Sequence, residues 1–425
     1  MNSIEFDGYA LLEEETPGSP EELSEIVKRA FQSGKVMTPV GGGTKLHLGN
    51  PPRAAQLAVR SRRLSGVVEY EPDNMTVSVL AGTPLNELQA ALSKGNQFLP
   101  LDPPHPSQAT VGGIVACNSS GPLRFRYGTV RDLLIGVKLV HADGTATKAG
   151  GKLVKNVTGY DMCKLYTGSL GTLGILSELT FKVQPRSESV ATLFVAYPSI
   201  KTALEAAQLF LRSDLLPDAI EAWNREALES LRPSWSWDEK PWVLMLRFGE
   251  VEAAVRWQVE RLKDAASKTE GEVLRVLALQ ESLEFWESAA SAREAQNAGE
   301  EALVKCSVLY QSTAETARRM EEAGKELGAR TALFCHAGTY IIYGRYRWES
   351  SDTRAPELMR QVLSSLRAYC VSVGGHMVVE KVRSEVKNGF DVWGYEAAAL
   401  EIMRRIKHEF DPLGLLNPGR FVGGI

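Results

Sequence analysis

At 425 residues, 44% hydrophobic and 24% charged, the chain has ordinary globular composition and room for two or three domains with sizeable cores. A formal net charge of −4 without a basic tract argues against nucleic acid as a partner, no apolar run is long enough to be a transmembrane segment, and the acidic residues 1–15 carry no secretory signature. The five cysteines, Cys117, Cys163, Cys306, Cys335 and Cys370, are scattered without a C-x-x-C pair, so neither a disulfide framework nor a metal or iron–sulfur site is expected, and a reducing cytoplasm fits.

In chain order, Ser19-Pro20-Glu21-Glu22 predicts a helix start, with Ser19 as N-cap, Pro20 at the first helical position and Glu22 completing a capping box. Leu23, Ile26, Val27, Ala30 and Phe31 follow at helical spacing, and Ser33-Gly34-Lys35 ends the helix. Residues 36–40 predict a strand feeding Gly41-Gly42-Gly43. Residues 67–71 and 76–80 alternate like strands around Pro72-Asp73-Asn74. Thr83-Pro84 opens a helix with Leu85, Leu88, Ala91 and Leu92 on one face, and residues 97–99, 135–141 and 176–183 predict further strands. Beyond Pro185 the expected strands are 193–196, 243–247, 272–277, 303–309 and 339–346, and the expected amphipathic helices are 202–212, 251–265, 314–327 and 356–371. Residues 233–237 and 289–299 read as surface excursions. A last helix, 395–410, runs into an apolar, turn-rich tail suited to docking. The element pattern predicts an α+β fold, with sheets covered by helices in the second half.

The chemistry concentrates in glycine. Three in a row between Pro39 and Lys45 can turn successive backbone N–H groups toward one point, an anion nest suited to a pyrophosphate, with Thr44 and Lys45 beside it; a flexible turn is the plain alternative. The nucleotide fingerprint G-x-G-x-x-G is absent, and Gly150-Gly151-Lys152 continues with Leu153, which disfavours a Rossmann domain and a P-loop. From Gly112 to Pro185, glycines recur beside small polar residues between strand-like runs, allowing a backbone to approach a large, flat, anionic ligand. That pattern points to a flavin nucleotide. His105 sits just upstream in the stiff run Asp102-Pro103-Pro104-His105-Pro106. Trp223, Trp235, Trp237 and Trp242 could mark a partner surface or pack in a core.

Together Gly41-Gly42-Gly43-Thr44, Gly112-Gly113, Asn118-Ser119-Ser120-Gly121-Pro122, Arg126-Tyr127-Gly128, Lys155-Asn156-Val157-Thr158-Gly159-Tyr160-Asp161 and Gly168-Ser169-Leu170-Gly171-Thr172-Leu173-Gly174 resemble the vanillyl-alcohol-oxidase/PCMH-type FAD-binding flavoproteins, among them the FAD-binding subunits of bacterial glycolate oxidases. Phe410-Asp411-Pro412 and Asn417-Pro418-Gly419 match from the other end of the chain. The resemblance implies a two-subdomain FAD domain over 1–187, an α+β cap over 188–394, and a helix and tail over 395–425 returning to the FAD domain. It implies Gly41, Gly42, Gly43, Thr44 and Lys45 at the FAD pyrophosphate. Thr110, Gly112, Gly113, Asn118, Ser120 and Gly121 would line the flavin and ribityl chain. Gly171, Thr172, Gly174 and Ile175 would run beside the adenosine side or the ring, Tyr127 and Gly128 would shape the pocket, and the His105 loop would meet the flavin edge. The implied activity is FAD-dependent oxidation of a small 2-hydroxy acid of the glycolate type, with electrons passed to a partner subunit or a diffusible acceptor, in a complex with a larger flavoprotein subunit and an iron–sulfur subunit. A non-catalytic electron-relay or assembly subunit is the alternative. Any membrane association would come through those partners.

Three departures from the family pattern matter. Thr44 stands where relatives with covalent flavin carry histidine, which implies non-covalent FAD. Leu170 stands where catalytic-subunit relatives carry Glu. The motif H-x-G-D-G-N-x-H survives only as His336-Ala337-Gly338-Thr339, with Gly374-Gly375-His376 a loose echo of E-H-G. Oxidising a 2-hydroxy acid needs a base for the hydroxyl proton and a cation for the carboxylate. His336 or His376 could be that base, and Arg345, Arg347 or Lys381 that cation. His336 and Arg345 are the catalytic candidates, with a structural role the alternative for each.

Overall fold

The computed structural model describes residues 5–11, 13–152, 159–231, 240–294, 301–348, 356–394 and 398–425. Two compact units emerge: Met1–Gly121 with Gly128–Arg186 and Tyr395–Ile425, and Pro122–Tyr127 with Ser187–Gly394.

The first unit holds two main sheets. β1 (Glu13–Glu15), β2 (Met37–Val40) and β3 (Leu57–Arg60) are parallel, with β3 central. Against them packs α1 (Pro20–Gln32), whose start is as the sequence predicts: the Ser19 hydroxyl accepts the Glu22 amide at 3.1 Å. The Glu22 carboxylate, however, takes the Gly18 amide at 2.7 Å. Leu23, Ile26, Val27 and Ala30 of α1 share one core with Met37, Leu57 and Val59. β4 (Val67–Glu71), β5 (Thr76–Leu80), β6 (Leu134–Val140), β7 (Ala146–Gly150) and β8 (Ile175–Lys182) form an antiparallel sheet in the order β7-β6-β8-β5-β4. α2 (Leu85–Ser93) and α3 (Val111–Cys117) bury their apolar faces in this sheet's core. The C-terminal helix Leu400–Phe410 lays Ile406 and Phe410 against the same core, and the Phe410 ring stacks on His141 at 5.3 Å. The sequence reading gives no helix at 111–117, because Gly112-Gly113 depresses intrinsic propensity. Tertiary packing and the Thr110 cap, accepting the Gly113 amide at 3.2 Å, override it.

The second unit is one eight-stranded antiparallel sheet rather than several. Its strands are β9 (Ser189–Tyr197), β10 (Ala219–Asn224), β11 (Trp242–Glu250), β12 (Glu272–Leu277), β13 (Glu301–Ser307), β14 (Arg330–His336), β15 (Ile341–Arg347) and β16 (His376–Lys381). They run in the order β12-β9-β11-β10-β14-β15-β13-β16. α4 (Ile200–Leu211), α6 (Glu252–Ala266), α8 (Tyr310–Glu326) and α9 (Pro356–Ser372) cover one face. The opposite face packs against α5 (Arg225–Glu229) and α7 (Leu279–Ala292), so helices lie on both faces. Residues 289–292, expected as surface, are the buried end of α7, where Ala289, Ala290 and Ala292 repeat at core-facing positions. β10, β14 and β16 escape the sequence reading because Glu221, Arg330 and His376 interrupt their apolar patterns. Trp223 and Trp242 are core residues, 2% and 4% exposed. Trp235 and Trp237, residues 233–237, 295–299 and 395–397, and the Lys155-Asn156-Val157-Thr158 part of the glycine-rich motif lie outside the described residues. Among the described residues no helix is long and apolar enough to cross a membrane.

Candidate functional site

A cleft open to solvent at its mouth lies within the first unit. Its floor is the loop 41–45 that β2 delivers as it leaves its parallel pairing with β3, where Val40 faces Arg60. Segments 109–114 and 170–176, the prolines Pro103 and Pro104, and the tail residues Asn417 and Arg420 complete the wall. Of the sequence-predicted contacts, Gly41, Gly42, Gly43, Thr44, Lys45, Thr110, Gly112, Gly113, Gly171, Gly174 and Ile175 line it.

The glycines divide into two kinds. A Cβ on Gly41 would sit 2.2 Å from Thr110 Oγ1, one on Gly42 1.8 Å from the Gln108 carbonyl oxygen, and one on Gly112 2.7 Å from that of Ala81. These are bare so that chain can press on chain. Gly43 and Gly113 differ: an added Cβ would meet only Leu46 Cδ1 at 3.8 Å and Thr110 Oγ1 at 3.2 Å, respectively. Gly43 adopts φ +78°, and the amides of Gly42, Gly43 and Thr44 donate to no protein group among the described residues. Unspent amides beside Lys45, facing an open cleft, fit the diphosphate of a dinucleotide.

Other predicted contacts stand behind the wall or away from it. His105 adopts φ +53° and its carbonyl accepts the Gln108 and Ala109 amides at 2.9 and 2.8 Å, so this residue shapes the proline loop rather than lining the cleft. Asn118 is the exposed left-handed cap of α3, and its neighbour Ser119 lines the cleft instead. Ser120 is buried, and the Gly121 amide donates to Asp102 Oδ1 at 2.9 Å. Thr172 is 1% exposed and donates to the Ser169 carbonyl at 2.7 Å. Gly128, at φ +79°, abuts the Asp132 carboxylate that caps the next helix.

Tyr127 belongs to the second unit, where its hydroxyl lies 3.5 Å from Asp218 Oδ1 and burial pushes the phenol up to about 12. Asp218 is held between Arg126 at 3.0 Å and Arg247 at 2.6 Å; burial raises its pKa while both guanidinium groups pull it down.

Cleft residues that the sequence reading misses include Thr38, Leu46, Ser61, Asn417 and Arg420. Arg420, 3% exposed, pairs with Asp7 at 2.8 Å and donates to the carbonyls of Leu46, Leu48 and Asn50, holding the segment after the glycine run. Burial lowers its pKa against the opposing pull of Asp7. The Asn417-Pro418-Gly419-Arg420 tail was a legible signal for these last contacts.

In the second unit, His336 is 4% exposed on β14. Its Nδ1 lies 2.5 Å from Glu221 Oε1 and its Nε2 3.3 Å from Arg293, while Trp223 Nε1 donates to Glu221 Oε2 at 3.0 Å. Burial pushes the Glu221 carboxyl up to about 8, against the Trp223 hydrogen bond and the Arg293 charge. Arg345 shares this sheet face but donates to the Ala292 carbonyl, with its guanidinium 5.6 Å from the Phe334 ring centroid. The ladder sets Arg345 opposite Ala332 and His336 opposite Ile341, so the two candidates are four positions apart, roughly 13 Å. The structure does not bring them onto one small acid. His376 is half-buried on β16, its pKa lowered by burial and by Arg367 and Lys305. Lys381 is buried, and Arg347 is exposed at 4.0 Å from Glu301. Among the described residues no group of three or more His, Cys, Asp or Glu side chains could hold a metal ion.

Comparison with known proteins agrees with this geometry. Residues 15–150 match the FAD binding domain family, and residues 186–421 match the family of FAD linked oxidases, C-terminal domain. The chain is 27% identical to glycolate oxidase subunit GlcD of Bacillus subtilis, over 95% of this chain and 87% of that one. It is 29% identical to the D-lactate dehydrogenase of Archaeoglobus fulgidus, over 96% and 90%. Across 40% of this chain and 49% of the relative, it is 39% identical to glycolate oxidase subunit GlcE of Escherichia coli. Two solved structures share the fold: an alkyldihydroxyacetonephosphate synthase (TM-score 0.75, 18% identity, 97% of this chain and 78% of that one) and 4-ethylphenol oxidase from Gulosibacter chungangensis (0.74, 17%, 96% and 88%).

Proposed function

Since this chain belongs to the FAD-linked oxidases, matched in both their FAD binding domain and their C-terminal domain, its cofactor is FAD, and we propose that it oxidises a small 2-hydroxy acid of the glycolate or D-lactate type as one subunit of a complex. The observation that carries the reading is the set of undonated amides at Gly42, Gly43 and Thr44 beside Lys45. They would donate to the diphosphate oxygens while Lys45 balances the charge, and the bare backbone at Gly43 would admit the ligand's edge. When bound, FAD supplies a two-electron acceptor for hydride. Thr44 offers no imidazole for covalent attachment, so the flavin is held without a covalent bond; denatured protein should release all of it to the supernatant.

On the substrate side, with Nδ1 turned to Glu221, the proton-accepting atom of His336 is Nε2. The guanidinium beside that atom is Arg293, which is better placed than Arg345 to meet a carboxylate next to the base. His376, Arg347 and Lys381 remain the alternative base and cations on neighbouring strands. Likeness to GlcD and GlcE supports a multi-subunit glycolate-oxidase-type complex; in our reading its partners are a larger flavoprotein subunit and an iron–sulfur subunit, through which any membrane attachment would come.

One observation favours a second reading, a flavin-bearing relay or assembly subunit that meets no substrate: His336 and Arg293 are 4% and 6% exposed and engaged with each other. Anaerobic mixing of the purified, FAD-loaded chain with glycolate or D-lactate separates the two. Loss of the flavin's visible absorbance supports oxidation by this chain. A flavin that stays oxidised until a partner subunit is added supports the relay.

A further inference from the structure

We infer that Thr38 and Asn417 are cofactor-binding residues, their side-chain oxygens hydrogen-bonding donor groups of FAD; this rests on FAD lying in the cleft of the first unit. The tail joins β2 as a short parallel extension: Met37 pairs with Leu416, the Met37 amide donates to the Leu415 carbonyl at 2.7 Å, and the Asn417 amide donates to the Met37 carbonyl at 2.9 Å. Met37 and Leu416, both fully buried, point into one core. Side chains alternate along extended chain, so Thr38, next after Met37, points to the other side; the tail turns out of the extended conformation at Asn417, and both residues line the cleft.

These two adjacent side chains share an anomaly. Thr38 is 1% exposed and Asn417 7%, yet neither Thr38 Oγ1 nor Asn417 Oδ1 has a hydrogen-bond partner among the described residues. Buried polar atoms are rarely left so, and two neighbouring ones in one wall call for a ligand. The amide orientation is not free, either. Asn417 Nδ2 donates to the Leu170 carbonyl at 2.7 Å, and a carbonyl can only accept, so Oδ1 faces the other way as a pure acceptor. Asn417 itself adopts φ +47°, a conformation Asn tolerates better than most residues. Its oxygen would accept from a flavin imide N–H, a ribityl or ribose hydroxyl, or the adenine amine, and the Thr38 hydroxyl can donate or accept beside it.

The test uses the full-length apo chain titrated with FAD, read by flavin fluorescence and by thermal unfolding without ligand. Thr38→Val removes the hydroxyl alone. The apo protein should melt at or above the wild-type temperature, because an unpaired buried group has gone, while the FAD dissociation constant rises roughly tenfold. Asn417→Gly keeps the backbone at ease at positive φ, removes the carboxamide, and should weaken FAD at least as much. Should Asn417→Gly fail to fold for want of its Leu170 tie, Thr38→Val alone decides. FMN and ADP arms report which half of the dinucleotide the pair meets, and a loss in either supports the inference. A dissociation constant unchanged in Thr38→Val overturns it. Wild type that takes up no FAD fails a different claim, that the cleft is the cofactor site.

Discussion

Lys407 and Asp411 form a 2.6 Å ion pair that fastens the C-terminal tail to the cofactor cleft from behind. Lys407 Nζ also donates to the carbonyls of Thr172 and Leu416, each at 2.8 Å, and Asp411 accepts the amides of Leu415 and Leu416 at 2.9 and 2.7 Å. One buried cation thus joins the segment ending in Gly174 to the residue preceding Asn417. Burial lowers the Lys407 pKa, and the Asp411 charge holds it up.

Lys407→Met should therefore do more than remove an ion pair. It strands a buried carboxylate, a loss of about 3–5 kcal/mol, and frees two wall segments at once. Chemical denaturation should show the lost stability, and FAD affinity should fall with it. A variant that unfolds like wild type would contradict the clip.

The two kinds of cleft glycine predict two phenotypes. Gly42→Ala pushes a methyl against the Gln108 carbonyl and should lower both apo stability and FAD affinity. Gly113→Ala brings a methyl 3.2 Å from the Thr110 hydroxyl that caps α3, a milder crowding, so apo stability should fall less than in Gly42→Ala while FAD affinity falls. Comparing apo melting with FAD titration checks both.

Burial of Glu221 sets a pH dependence. Its folded value, about 8, is above the ordinary 4.5, so the native state holds the proton more tightly than the unfolded chain. This contribution is fully present below about pH 4.5 and is lost as pH rises through about 8, at no more than roughly 1.4 kcal/mol per pH unit. Urea unfolding at pH 5 and pH 8 should show the second unit weakening, and Glu221→Gln should flatten the difference. Equal slopes in both proteins would count against a raised carboxyl.

Asp218 should matter more than the tyrosine beside it. Arg247→Met leaves a fully buried carboxylate with Arg126 as its remaining ion pair among the described residues and should cost about 3 kcal/mol or more. Tyr127→Phe gives up a long, 3.5 Å contact to Asp218 and should cost less than Arg247→Met. Thermal unfolding of the two variants gives the comparison directly.

Regular amphipathic elements were legible because their physics is local. Ser19-Pro20-Glu21-Glu22 caps α1 as its sequence says, and the strand residues 272–277 match β12. α3 and β14 were not, because a glycine pair and a charged start conceal elements that only packing sustains. Within the cleft, the glycine run 41–45 announced itself. Thr38 did not, since an ordinary residue becomes part of a site only when the tail, 379 positions away, is laid beside its strand, and the Asn417-Pro418-Gly419 run announced the tail but not its place in the cleft.

What the sequence determined by itself was the α+β class, the FAD-binding character and the glycine-rich segments that line the cleft, because backbone access is written directly as missing side chains. Only the tertiary structure decided which glycines face open space and which face other chain, that His336 is tied to Glu221 and Arg293 rather than near Arg345, and that the tail supplies part of the cleft. Those outcomes depend on ladder register and on which buried polar groups find partners, and neither is encoded within a local window.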